Sequence, residues 1–126
     1  MTESDFLAAF EAGTLESFRH RDHVRMCWLY LSRHGEAGRR QVVDGIKRFA
    51  LAKGATALYH ETLTTAWLRL VLAAVRDAPP GGFEALVERH PWLLDKDAVY
   101  RHYRRDTLMG PEARARWVEP DLEPLP

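Results

Sequence analysis

The sequence predicts an all-α fold, a compact bundle of about five to seven helices in one domain. Three observations carry this. Apolar residues recur at spacings of three and four. No stretch alternates apolar and polar residues over a strand length. Glycines at 13, 35 and 54 stand just past periodic segments, where helices stop.

The elements follow in order. Thr2 or Ser4 caps a short first helix, in which Phe6 and Phe10 form an i,i+4 pair and which Gly13 ends. TLESF is an extended link. The second helix starts at about Arg19–Arg21 and runs to His34, with Val24, Cys27, Trp28 and Leu31 as its buried stripe. A third covers about Glu36 to Lys53, with Val42, Val43, Ile46, Phe49 and Ala50 inward. The fourth begins near Tyr59–His60 and ends before APPGG, a turn too short to separate domains. At 100° per residue, Leu63, Trp67, Leu70, Val71 and Ala74 share one face. Leu68, Leu72 and Val75 cover the next arc, leaving Thr62, Thr65, Arg69 and Arg76 as a polar strip. So much apolar circumference marks a central helix.

A short helix over Phe83–His90 is stopped by Pro91, because the residue before proline disfavours helical dihedrals. A last sizeable helix spans about Asp95 to Arg105 with Val99, Tyr100 and Tyr103, and Pro111 opens one more short helix. Residues 119–126, EPDLEPLP, form an extended, proline-rich tail.

Composition narrows the function classes. With 46% hydrophobic and 29% charged residues, a mostly disordered chain is excluded. Eighteen basic residues balance eighteen acidic ones, which gives no support for a nucleic-acid or membrane-surface partner. No segment is long and apolar enough for a membrane span, and the acidic N-terminus lacks the pattern of a signal peptide. Cys27 has no second cysteine to pair with, which suits a reducing cytosol.

Four titratable residues fall at inward positions near helix starts. His20 and His23 lie about 60° apart on the face of Val24 and Cys27. His60 lines up with Leu63 and Trp67, and Glu61 with Leu68 and Leu72. A helix N-terminus and burial both disfavour imidazolium, so these histidines are expected neutral, fit to act as bases or as metal ligands. Buried His and Glu are costly unless paired, which favours one shared site, provided that the two helix starts meet. Taken singly, each is as well explained as a cap or a satisfied core group. Tyr59, Trp28, Trp67 and Arg104 are candidates for binding substrate: a phenol, two aromatic walls, and one of the arginines of YRHYRRDTL that could clamp an anion. Cys27 is expected to be core filler.

The segments FRHRDHVRMCWLYL, YHETLTTAW and LLDKDAVYRHYRRDTL resemble a family of small bacterial all-helical proteins that carries no established activity. The similarity spans roughly residues 18–119. Its F-x-H-x-x-H-V and Y-H-E-T patterns map onto Phe18, His20, His23 and Val24, then Tyr59, His60, Glu61 and Thr62; Cys27 stands where the pattern has alanine.

The expectation is a small cytoplasmic enzyme acting on a small polar metabolite without a cofactor, by His/Glu acid–base chemistry of a dehydratase, cyclase, isomerase or other lyase type. One alternative is a metal enzyme using zinc, iron or copper, with His20, His23, His60 and Glu61 as its donors. The other is a non-catalytic ligand-binding or accessory protein whose His/Glu set is structural.

Overall fold

A computed structural model describes residues 2–55, 59–78 and 80–126. Among the described residues the chain is all-α, with seven α-helices, three short 3₁₀ segments and no strand. Among the described residues no helix is long and apolar enough to cross a membrane. The chain divides into two compact units, Met1–Tyr59 and His60–Pro126.

In the first unit, α1 spans Glu3–Ala12. Thr2 caps it through a reciprocal pair: the Asp5 amide donates to Thr2 Oγ1 at 3.0 Å and the Thr2 amide to Asp5 Oδ2 at 3.1 Å. Gly13 closes it at φ 72°, in the left-handed region. Helix α2 runs His20–His34, and the Arg19 amide ahead of it donates to Asp22 Oδ2 at 3.0 Å. The third predicted helix is shorter than expected at its start. Gly35–Gly38 forms a 3₁₀ turn and α3 covers Arg39–Ala52. The cause is close packing: a Cβ at Gly38 would lie 2.5 Å from the Tyr30 carbonyl oxygen, so the turn is pressed onto α2. Phe10, fully buried, sits where a Cβ at Gly45 would fall, and stacks near Phe49 and Phe18 at centroid distances of 6.2 and 5.2 Å. Tyr30 donates its hydroxyl to Glu11 Oε1 at 2.6 Å, tying α2 to α1.

In the second unit, α4 is Glu61–Arg76, α5 is Gly82–Arg89, α6 is Arg105–Met109 and α7 is Pro111–Ala115. Helix α4 is central to this unit: Ala66 joins Val99, Tyr103 and Leu108 in a cluster that Leu63, Trp67 and Trp117 flank. Two expectations are corrected. Thr62 and Thr65 are buried, not a polar strip. The helical wheel counts a hydroxyl as polar, but Thr62 Oγ1 donates to the Arg116 carbonyl at 2.7 Å and accepts from the Val118 amide at 3.0 Å, so its polarity is spent inside. The single helix expected over Asp95–Arg105 is broken into a 3₁₀ segment, Lys96–Arg101, and α6. Asp95 Oδ1 takes the Asp97 amide at 2.9 Å, favouring a tight turn, and Asp121 Oδ1 takes the Arg104 amide at 2.9 Å, diverting the donor that a continuing helix needs. Pro79, within the predicted APPGG turn, lies outside the described residues.

Residues 116–125 carry no helix and run along this unit as a strap. Besides Thr62, the strap is held by Tyr103, whose hydroxyl donates to the Val118 carbonyl at 2.6 Å, and by Asp121, which also accepts from the Thr107 hydroxyl. Replacing Thr62 by Val keeps its volume and removes both bonds, leaving an amide and a carbonyl unpaired. The expected loss is about 2 kcal/mol in urea unfolding, with Thr62→Ser retaining most of it; a Val variant as stable as the parent would show that the strap is held elsewhere.

Candidate functional site

His20 and His23 occupy the first turn of α2, both half-buried. His23 lies flat against Phe18, with ring centroids 3.8 Å apart and an interplanar angle of 26°. Burial holds its pKa down at about 4; the neighbouring His20 lowers it further, and Asp22 opposes both. His23 is therefore a neutral ring packed in an aromatic cluster. Cys27 is buried and its thiol is pushed up to about 12 by that burial, so it is protonated core filler as expected. Trp28 is half-buried on α2, and Tyr59, at the end of the first unit, lies beneath Lys47 Nζ at 5.0 Å from its centroid.

His60 does not lie within α4, as the wheel assumed. It is the residue before it, with extended backbone, and its Nδ1 accepts the Leu63 amide at 3.0 Å as an N-cap. A nitrogen that accepts an N–H carries no hydrogen, so Nε2 bears it and donates to the Leu108 carbonyl at 2.6 Å. Both ring nitrogens are thus committed. The residue is 5% exposed, and burial lowers its pKa, the Leu108 carbonyl acting against this and Arg114 with it. Protonation would set an added hydrogen against the Leu63 N–H. Glu61, next to it, is half-buried.

The structure brings His20 together with His23, and His60 together with Glu61. The first pair lies in one compact unit and the second in the other. Among the described residues, no group of three or more His, Cys, Asp or Glu is arranged to hold a metal ion. Trp67 packs half-buried on the core cluster of the second unit. The Arg104 side chain is exposed, and its amide is bound to Asp121. Nearby cations are engaged too. Arg105 stacks over Tyr100 at 4.1 Å and Arg101 lies 4.0 Å from Glu123, which gives the arginine run the character of a solvated face.

A cavity of the second unit lies elsewhere. A groove of about 600 Å³ opens between the 3₁₀ segment and the strap. Its chemistry comes from Trp92, Asp95, Asp97, Arg101, His102 and Glu123, and Leu70 and Leu125 supply apolar wall. His102 is 8% exposed. Its Nδ1 lies 2.9 Å from the Glu123 carbonyl oxygen; a carbonyl can only accept, so Nδ1 carries the hydrogen and Nε2 holds the lone pair of the neutral ring. Unlike His60, His102 keeps one nitrogen without a hydrogen-bond partner among the described residues. Its backbone is fixed as well, since its carbonyl accepts the Leu122 amide at 3.0 Å.

Sequence reasoning passed over His102 because it weighed that segment for its arginines. The available signal was spacing: His102 follows Val99 by three and precedes Tyr103, and both neighbours are buried.

Two measurements check these assignments. The unfolded chain takes up a proton on His23 near the ordinary histidine value of about 6.5, whereas the folded chain does so only near 4. Between these values the unfolded state holds more protons, so stability is full above the upper value and falls as pH drops toward the lower one, by up to about 3 kcal/mol. Urea midpoints taken across this window should show the decline, and His23→Phe should make it shallower, leaving the part that His60 contributes; an unchanged slope in that variant would remove His23 as a source. His60→Ala deletes a cap and a buried bond and should cost about 2–4 kcal/mol. His60→Asn, whose side-chain oxygen can cap, should recover about 1 kcal/mol of that. If His60→Ala melts like the parent, the ring is not structural.

A scan against protein-family models finds no match, and neither do searches of curated proteins and of solved structures, in keeping with resemblance to a family that carries no established activity.

Proposed function

We propose that this chain is a small cytoplasmic enzyme that acts on a small polar metabolite by general acid–base chemistry, with the groove of the second unit as its substrate site. The observation that supports this most is His102. An imidazole oriented by a backbone carbonyl through Nδ1 and offering Nε2 beside a groove has the arrangement that a general base requires. It replaces His60 in the role, because His60 has no nitrogen to offer without losing its cap or its bond to Leu108.

In this mechanism, Nε2 of His102 removes a proton from a carbon or hydroxyl of the bound substrate. The imidazolium so formed is stabilised by the carboxylates of Asp95 and Asp97 in the same groove. It returns the proton either to a second position, an isomerisation, or to a departing hydroxyl, a dehydration. The atoms balance in both cases without an outside oxidant or reductant. Trp92, 37% exposed, offers a flat apolar surface for the substrate body.

The test is conversion of a small-molecule extract followed by mass spectrometry. Purified protein should consume a compound and yield an isomer or its dehydrated product. His102→Asn is the informative variant, because asparagine keeps a donor at the Nδ1 position and lacks Nε2. It should melt like the parent and lose about 10²–10⁴-fold in rate. Full turnover by the Asn variant, or no conversion by the parent protein at stoichiometric amounts, would overturn the proposal.

A further inference from the structure

We infer that the groove selects an organic ammonium ion, a small primary or secondary amine carried on an apolar body, over a carboxylate of the same size. This rests on the groove's being the functional site, and it adds the charge of the ligand.

The inference comes from the charges that line the groove. Four ionised groups face it: Asp95, Asp97, Arg101 and Glu123. Arg101 is the one cation among them, and its Nε lies 4.0 Å from Glu123 Oε2. That pair is close to neutral as seen from the groove. Asp95 and Asp97 have no ion-pair partner among the described residues. Asp95 uses one carboxylate oxygen to accept the Asp97 amide at 2.9 Å, which holds that carboxylate in place. An entering ligand therefore meets two negative charges that no cation of the groove offsets. A carboxylate would be repelled by both and would have to take Arg101 away from Glu123.

Two further features fit an ammonium ion and its apolar body. Trp92 lies at the same groove, and an indole face attracts a cation more strongly than the other aromatic rings do. Leu70 and Leu125 give apolar surface for the remainder of the molecule. His102 supplies an independent pointer to a ligand. It is more than nine-tenths buried, its Nδ1 is fixed, and its Nε2, the acceptor of the neutral ring, has no hydrogen-bond partner among the described residues. An ammonium N–H donates to such an acceptor, whereas a carboxylate offers it nothing.

The experiment uses three probes of nearly equal size: phenethylamine, 2-phenylethanol and 3-phenylpropionate. Each is titrated into the whole protein at neutral pH and low salt, and the His102 ring-proton resonance, assigned with His102→Asn, is followed. Phenethylamine should shift the resonance saturably and bind at least about tenfold more tightly than 3-phenylpropionate, with 2-phenylethanol between them. Asp95→Asn and Asp97→Asn should each weaken the amine by about fivefold, the effect of one half-exposed charge contact, and leave the alcohol unchanged. The failures separate. If the carboxylate binds as tightly as the amine, the selectivity is overturned and the groove remains the site. If no probe moves His102, both the selectivity and the groove as functional site fall.

Discussion

The first turn of α4 is the constraint on which the second unit depends. Two polar side chains there, His60 and Thr62, reach beyond their own helix. His60 caps α4 with one nitrogen and holds the Leu108 carbonyl with the other. Thr62 takes both a carbonyl and an amide of the strap, from Arg116 and Val118. Buried polar groups left unpaired cost about 1–3 kcal/mol each, so these bonds allow essentially one path for the strap. That path puts Asp121 where it accepts the Arg104 amide, and this breaks the helix that the apolar spacing over Asp95–Arg105 would otherwise allow. It also puts the Glu123 carbonyl against His102, which sets the tautomer of that ring. The groove is thus a consequence of how the strap is tied down, by bonds that reach 54 and 56 residues back in sequence to Thr62.

The first unit is organised differently. Its interior is a packing of aromatic rings, with Phe10 inserted against Gly45, and Phe18 between Phe49 and His23. Here the polar residue is a guest of the aromatic cluster. His23 contributes a flat ring and keeps it by staying neutral. The two units therefore use histidine in opposite ways, as a packing surface in one and as a hydrogen-bonding junction in the other.

The fold class and most helix positions were legible because they rest on local signals. The cap at Thr2, one of two residues the sequence offers, and the ends at Gly13, Gly35 and Pro111 are marked by sequence spacing alone. What was not legible depended on contacts between residues far apart in the chain. Nothing near Arg104 announces that Asp121 will take its amide. Nothing near Gly38 announces that the Tyr30 carbonyl will press against it. Thr62 was misplaced for the same reason, since a helical wheel sees a hydroxyl and not its two partners. For the candidate site, the inward placement of His60 was legible and its occupation was not. The tautomer of His102 needs Glu123, which lies 21 residues on.

His60 stands out in the sequence by its cost: a titratable group at the most apolar helix should be there for a reason. The structure gives a reason, and it is a structural one. Cost alone cannot separate a junction from a reactive group, because both must be compensated to persist. What separates them is how many of the ring's polar atoms the protein itself satisfies. At His60 the protein satisfies two, so the burial is compensated within the fold and nothing remains for a ligand. At His102 it satisfies one, and the ring is held in orientation while an acceptor is left beside a groove. An imidazole held through one nitrogen and open to a groove through the other keeps an atom available to a ligand, and so a functional site is better sought there than at the most deeply committed histidine.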